Sequence, residues 1–451
     1  MHRRTLRRTV RLFALSALLC AASATAAEPS IPFERYTLPN GLEVILHQDR
    51  TLPLVAVDVW YHVGSGDETP GRSGFAHLFE HMMFQGSKHA GEDAHFDVLK
   101  KVGVSNVNGT TNADRTNYYE VVPSHTVETA LWLESDRMGY LFPLLTQKSF
   151  DNQRDVVRNE RRQSYENRPY GASALALHEL LYAEGHPYRY QTIGRHEDLQ
   201  AAGIDDVRGF FRHWYVPSNA TLTLAGDFDV AEMKGLVQKW FGGFPLTTRP
   251  AHREVPPTPP TAPERTLKDP LVGLRRLEYA WHTSKIYAPG DAELDIAAHA
   301  LTESGTGRLY KLLVHEKQLA QSVSAYQAST GFSSVFEVSI DLKPEADLAL
   351  VEQLVQEELA RLAATPITER ERARAVLAVE SSFVWGLEEL LARAEALQRY
   401  NHYLGTPDGV SRDLDRYRKA SPEQIRDVVK QYLDPSLKVR LLTLPEEKEK
   451  R

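Results

Sequence analysis

His77 and His81 stand four residues apart with Glu80 between them, inside the apolar run Gly74-Phe75-Ala76-His77-Leu78-Phe79-Glu80-His81-Met82-Met83-Phe84. No proline, and no glycine after Gly74, interrupts the run, which predicts a helix. Residues i and i+4 of a helix lie one turn apart on one face, so the two imidazoles converge on a single point. Glu80, three residues after His77, shares that face. Two neutral imidazoles can ligate a zinc ion, and an adjacent carboxylate outside the ligand set can take a proton from metal-activated water. Three ionisable groups in an otherwise apolar helix are costly to bury without such a use. The order H-x-x-E-H reverses the commoner zinc-binding H-E-x-x-H.

A catalytic zinc site commonly has three protein ligands and one open position. Cys20 is the only cysteine and lies in an N-terminal leader, so the third ligand is a carboxylate or another histidine. Phe150 to Arg162 reads as a charged helix with a narrow apolar stripe. Glu160 is three and four residues from Val157 and Val156, on the face expected to turn inward, where a carboxylate needs a cation. Glu166 falls off that stripe.

The elements that must position these groups begin after residue 27. Arg3, Arg4, Arg7, Arg8 and Arg11 form a basic segment ahead of the apolar stretch Leu12 to Ala22, and Ala24-Thr25-Ala26 supplies a small-residue cleavage site. Residues 1–27 are thus expected to be a signal peptide cleaved near Ala26, directing the chain across the inner membrane to the periplasm. The formal charge of −7 includes the leader arginines, so the mature chain carries about −12. Nothing in that balance suggests a nucleic-acid partner. No second apolar run approaches membrane-spanning length.

A mature chain of about 425 residues predicts more than one domain. The stretch 247–270, with Pro256-Pro257-Thr258-Pro259-Pro260, reads as a semi-rigid linker between an N-terminal domain, 28–246, and a C-terminal domain, 271–446. In the first, Asn40-Gly41 between extended segments signals a hairpin, Leu54 to Tyr61 is a strand, and the His77 helix follows. In the second, Leu274 to Trp281 is a strand and Ala292 to Leu301 a helix, with His299 but no histidine four residues on. The recurrence suggests a duplicated fold whose second copy lacks the metal site.

With these segments assembled, the chain resembles the pitrilysin/insulinase family of zinc peptidases, in the short two-domain form related to mitochondrial processing peptidase subunits. The matching segments are Leu38-Pro39-Asn40-Gly41-Leu42, Val63-Gly64-Ser65, Gly74 to His81, Asn108 to Tyr118, Asn159-Glu160-Arg161-Arg162 and Gly305-Thr306-Gly307-Arg308-Leu309-Tyr310. The resemblance implies an α+β fold: two similar α/β rolls, antiparallel-rich sheets packed with helices, joined by the Pro-rich linker and enclosing a chamber. It implies one Zn2+ per chain, held by His77, His81 and Glu160, with Glu80 as general base. It also implies that Asn108 lies on a substrate-binding strand. Two departures stand out. A further functional glutamate of the family, two turns before the metal glutamate, is Gln153 here. The Arg and Tyr that relatives present to the substrate backbone reduce to Tyr326, with no arginine evident in the segment 318–326.

The chemistry expected is peptide hydrolysis by a zinc endopeptidase acting on peptides or unfolded protein segments. Val104 to Thr111 has the alternation and small residues of an edge strand to which a peptide could add, although an ordinary hairpin arm reads the same way. A non-catalytic scaffold subunit is the alternative, since some relatives are structural, but a scaffold has no use for the base. A metal-transport protein leaves Glu80 without a role. A short chain would leave its zinc roll facing an open cleft, so a dimer is expected. Its second member is another copy or a homologous chain that lacks H-x-x-E-H and carries the missing arginine.

Overall fold

The computed structural model describes residues 28–446, apart from 105, 143–144 and 256–263. The leader 1–27 and the Pro256-to-Pro260 run therefore lie outside the described residues. One mixed sheet contains β1 (Glu34–Thr37), β2 (Glu43–Gln48), β3 (Leu54–Tyr61), β4 (Val107–Thr111), β5 (Thr116–Pro123) and β6 (Ala220–Gly226), in the order β1-β2-β6-β3-β5-β4. A second contains β7 (Glu264–Asp269), β8 (Arg275–Thr283), β9 (Ala320–Ala328), β10 (Ser334–Leu342) and β11 (Val439–Pro445), in the order β7-β11-β8-β10-β9. Strand β7 occupies residues read from the sequence as linker, because its partner β11 comes from the far end of the chain.

The duplication expected from pattern is explicit in the pairing. Strands β2 and β6 run parallel, and β6, β3, β5 and β4 follow antiparallel. Strands β7 and β11 run parallel, and β11, β8, β10 and β9 follow antiparallel. Setting β1 aside, the two sheets share one order and one set of directions. The Asn40-Gly41 turn closes the β1–β2 hairpin as expected, with Gly41 at φ 91°.

Strand β3 is buried from Val55 onward, on both faces. One face meets the main core of the first half, including Leu78, Phe79 and Met82. The other is covered by the helix Leu390–Leu404, which comes from the second half; Ala394 seats against Ala56 and Ala225, where small side chains allow close approach. The exchange is reciprocal. Helix Gly171–Leu181 of the first half lies on the second sheet, with Leu177 and Leu181 against Ala280, Val335 and Leu441. Each sheet thus needs the other half to bury its outer face, which binds the halves into one folding unit. Among the described residues no helix is long and apolar enough to cross a membrane.

Candidate metal centre

The helix predicted around His77 spans Phe75–Met82. Gly74 starts it at φ 90°, a left-handed conformation, and a Cβ there would meet the Ile193 carbonyl oxygen at 2.9 Å. The Glu68 carboxylate accepts from the backbone N–H of Gly74 at 3.1 Å and of Ala76 at 2.8 Å, satisfying donors the first turn leaves free. Phe75, Leu78, Phe79 and Met82 are buried in the core. His77, Glu80 and His81 are left along one side.

The second helix spans Gln147–Arg161, capped by Thr146 accepting from Ser149 N–H. Its buried apolar residues are Phe150 and Val157, and Val156 is 45% exposed. The expectation that Val156 shares the inward face is therefore corrected. The inward row is Phe150, Gln153, Val157 and Glu160, at spacings of three and four. Glu160 keeps its place because it follows Val157 by three residues.

The two helices bring three predicted ligands together. His77 Nε2 lies 3.7 Å and His81 Nε2 3.4 Å from Glu160 Oε2, with the imidazole planes at 89°. Ligand atoms roughly 2.0–2.1 Å from a tetrahedral zinc stand roughly 3.3–3.4 Å from one another, so this trio fits the ion with little adjustment. Glu166 lies on the π-helical turn Arg162–Glu166, paired with Arg161 and His196 at 3.0 Å each, away from the trio. Gln153 Oε1 is 3.3 Å from His81 Nδ1. That contact places a proton on Nδ1 and leaves Nε2 facing Glu160, which is the orientation a metal-ligating histidine requires. His77 Nδ1 is buried and finds no partner among the described residues.

Burial, with the His81 imidazole beside it, lowers His77 to about 4, so it is neutral and competent as a ligand at neutral pH. Burial also pulls His81 down, but the hydrogen bond and charge of Glu160, with the charge of Glu80, carry it above its ordinary value. The hydrogen bond from His81 is the main cause holding Glu160 low. A proton and a metal compete for the same His81 nitrogen.

Glu80 sits beside the trio and outside it. Burial raises its pKa, opposed first by a hydrogen bond from Thr111 Oγ1 to Oε2 at 2.6 Å. A Cβ on Gly109 would lie 3.0 Å from Glu80 Cγ and 3.2 Å from Oε1, so glycine keeps open the space beside the free oxygen. Thr111 and Gly109 both lie on β4, which is an edge strand as expected and starts at Val107, later than the Val104 read from the sequence. The sequence reading missed Thr111 as a partner of Glu80; its two-residue spacing from Gly109, which places both on one face, was the available signal. Asn108 is exposed on that edge, and its side-chain oxygen accepts from Gly109 N–H at 2.9 Å.

A second grouping, His95, Glu120 and Glu134, is fully buried behind Phe84. Arg137 donates to Glu134 through Nε at 2.9 Å and Nη2, so that grouping already holds a cation. A cavity of about 1230 Å³ is not at the trio: it lies toward the second half, lined by Arg115, Asp295, His299, Glu303, Tyr326 and Arg399 among others.

Residues 43–192 match the family model described as "Insulinase (Peptidase family M16)", and residues 202–379 match "Peptidase M16 inactive domain". The chain is 28% identical to the zinc protease PqqE of Helicobacter pylori over 389 residues, covering 84% of this chain and 86% of that one. The crystal structure of a Helicobacter pylori protease superimposes with a TM-score of 0.85 at 23% identity, over 92% of this chain and all of that one. The periplasmic protease PqqL of Escherichia coli superimposes with a TM-score of 0.74 at 16% identity, over 93% of this chain and 48% of that one. These last two likenesses bear on fold. With both halves matched by models of one family, and with the fold to go with them, the chain belongs to the insulinase peptidase family, M16.

Proposed function

We propose that this chain is a zinc-dependent endopeptidase of peptides or unfolded protein segments, with His77, His81 and Glu160 holding the ion and Glu80 serving as general base. The observation that carries the reading is Glu80 placed against the ligand trio, with one oxygen tied to Thr111 and the other without a hydrogen bond among the described residues. Zinc, when bound, supplies Lewis acidity to water and to the scissile carbonyl. Glu80 takes the water proton on Oε1 and delivers it to the leaving amine, while Thr111 keeps the carboxylate from rotating away. An extended peptide adds to the open edge of β4 by backbone pairing, with Asn108 among the groups it passes. The leader places this activity in the periplasm. A dimer, with a second copy or with a homologous chain that supplies the absent arginine, completes the substrate wall.

Metal analysis and cleavage of a mixed pool of unfolded peptides, with and without chelator, test the reading. One zinc per chain, activity lost to chelator and activity restored by zinc are expected. Zinc-loaded protein that cleaves nothing would support the scaffold alternative instead. Sedimentation alongside the assay addresses the dimer: a fully active monomer at nanomolar concentration removes it, and an active homodimer removes the mixed pair.

A further inference from the structure

The equivalent hairpins of the two sheets, β4–β5 and β9–β10, meet at their tips. Asp114 lies in the turn between β4 and β5, which Asn112 tightens by accepting at Oδ1 from the N–H of Asp114 at 2.8 Å and of Arg115 at 2.9 Å. Gly331 lies in the turn between β9 and β10, and its N–H donates to Asp114 Oδ2 at 2.9 Å. A Cβ on Gly331 would stand 3.1 Å from Asp114 Oδ1, so glycine permits this close approach. The Tyr403 hydroxyl, on the helix that the second half lays over the first sheet, donates to Oδ2 at 2.7 Å. Oδ1 accepts from the Tyr188 hydroxyl, which in turn accepts from Phe332 N–H at 3.1 Å. One carboxylate thus receives three donors, two of them from the other half. Hydrogen bonds to a carboxylate are stronger than those between neutral groups.

The turn that Asp114 anchors continues directly into the strand beside Glu80. Thr111, three residues before Asp114, ends β4 and donates to Glu80 Oε2. As the edge of its sheet, β4 pairs with β5 alone, so no second strand fixes its outer side. The backbone of the turn is held within the first half, where the Asn112 and Ala113 carbonyls accept from Ser65 N–H at 3.0 Å and Gly66 N–H at 2.7 Å. The Asp114 side chain is what carries the turn across to the second half.

We propose that Asp114 is a positioning residue: by tying the β4–β5 turn to Gly331 and Tyr403, it makes docking of the second half set where β4 presents Thr111 to Glu80. The catalytic consequence rests on the peptidase reading, and the experiment separates the two. Wild type, Asp114→Ala, Tyr403→Phe and Arg265→Gln are compared in peptide cleavage, zinc content and hydrogen exchange over residues 107–111. Arg265→Gln removes a different contact between the halves, the 3.3 Å pair with Glu179, and controls for docking in general. Asp114→Ala should lose about ten- to hundredfold in kcat, the scale of a misplaced catalytic group, with KM within about twofold and zinc retained. Tyr403→Phe, which keeps the ring, should lose less in the same direction and carries the test if Asp114→Ala does not fold. Arg265→Gln should match wild type. In a Thr111→Val background, Asp114→Ala should cost at most about twofold more, because the two residues act in series. An unchanged kcat, a loss confined to KM, or a loss that adds in full to that of Thr111→Val overturns the assignment and leaves the peptidase reading standing. If wild type cleaves no peptide, the peptidase reading fails and hydrogen exchange decides the tie. Faster exchange over 107–111 in Asp114→Ala and Tyr403→Phe, but not in Arg265→Gln, supports it, and exchange equal to wild type overturns it.

Discussion

The helix Phe75–Met82 follows β3 in the first half, and the helix Asp291–Thr302 follows its counterpart β8 in the second. Each packs against a later long helix, Gln147–Arg161 in one and Glu369–Gly386 in the other. The backbones are equivalent, and the chemistry is not. In the first copy two imidazoles and a carboxylate face one another, and among the described residues no Lys or Arg is paired with Glu160. In the second, His299 pairs with Glu303 at 3.2 Å, and the Arg374 charge from the partner helix, after burial, lowers His299. Where the chain supplies a fixed positive charge, a dication is repelled. The second copy puts its polar residues to structural use: Arg308, in the Gly305-to-Tyr310 motif, is bidentate to Glu371 at 2.7 and 2.9 Å and touches Glu358 at 3.4 Å. A duplicated fold thus separates into a half where two imidazoles and a carboxylate meet and a half where the histidine is paired with Glu303 near the Arg374 charge.

The sharpest way to break this contrast is to remove one carboxylate from each half. Glu80→Gln should retain zinc and lose about 10²–10⁴ in kcat, whereas Glu303→Gln should stay close to wild type. Equal losses in peptide assays, on protein free of wild-type contamination, would show that the halves are not divided as described. Metal affinity comes next. His77→Ala, His81→Ala and Glu160→Gln should each lose zinc on dialysis, while His299→Ala and Glu166→Gln retain it. Gln153→Ala, which frees His81 Nδ1, should weaken zinc binding by about tenfold, at the low end for groups that orient metal ligands. Competition with a chromogenic chelator reads all six.

The smallest effect concerns the ion pair of the second half. Hydrogen bonding from Arg308, foremost, holds Glu371 down to about 2. Its folded-state pKa is depressed, so its contribution is complete above the ordinary glutamate value near 4.5 and is lost as pH falls through about 2. Arg308→Gln should therefore melt below wild type at pH 6, and the gap should narrow steadily between about pH 4.5 and 2. A gap independent of pH would assign the loss to packing of the arginine stem.

Much of the first site was legible because it is local. The i, i+4 spacing of His77 and His81 and the i+3 placement of Glu80 need only one helix, and helical periodicity is written in adjacent residues. Glu160 was harder: it was chosen through Val156 and Val157, and Val156 turned out to face solvent. A charged helix carries too few apolar residues to define its inward face to better than about one residue position. The strand–helix repeat was visible, but that the two sheets share one strand order was not, because pairing partners such as β7 and β11 are far apart in the chain.

What the sequence determined by itself, then, is that His77, Glu80 and His81 share one side of a helix and that an edge strand runs through Asn108, each encoded within a few residues. Only the tertiary structure decided what holds and bounds them. Thr111 reaches Glu80, Gln153 reaches His81, each half lends a helix to the other's sheet, and Asp114 meets Gly331 and Tyr403 of the second half. These contacts join residues tens to hundreds of positions apart. Sequence spacing carries no information about such meetings until burial of both sheets has fixed which faces must come together.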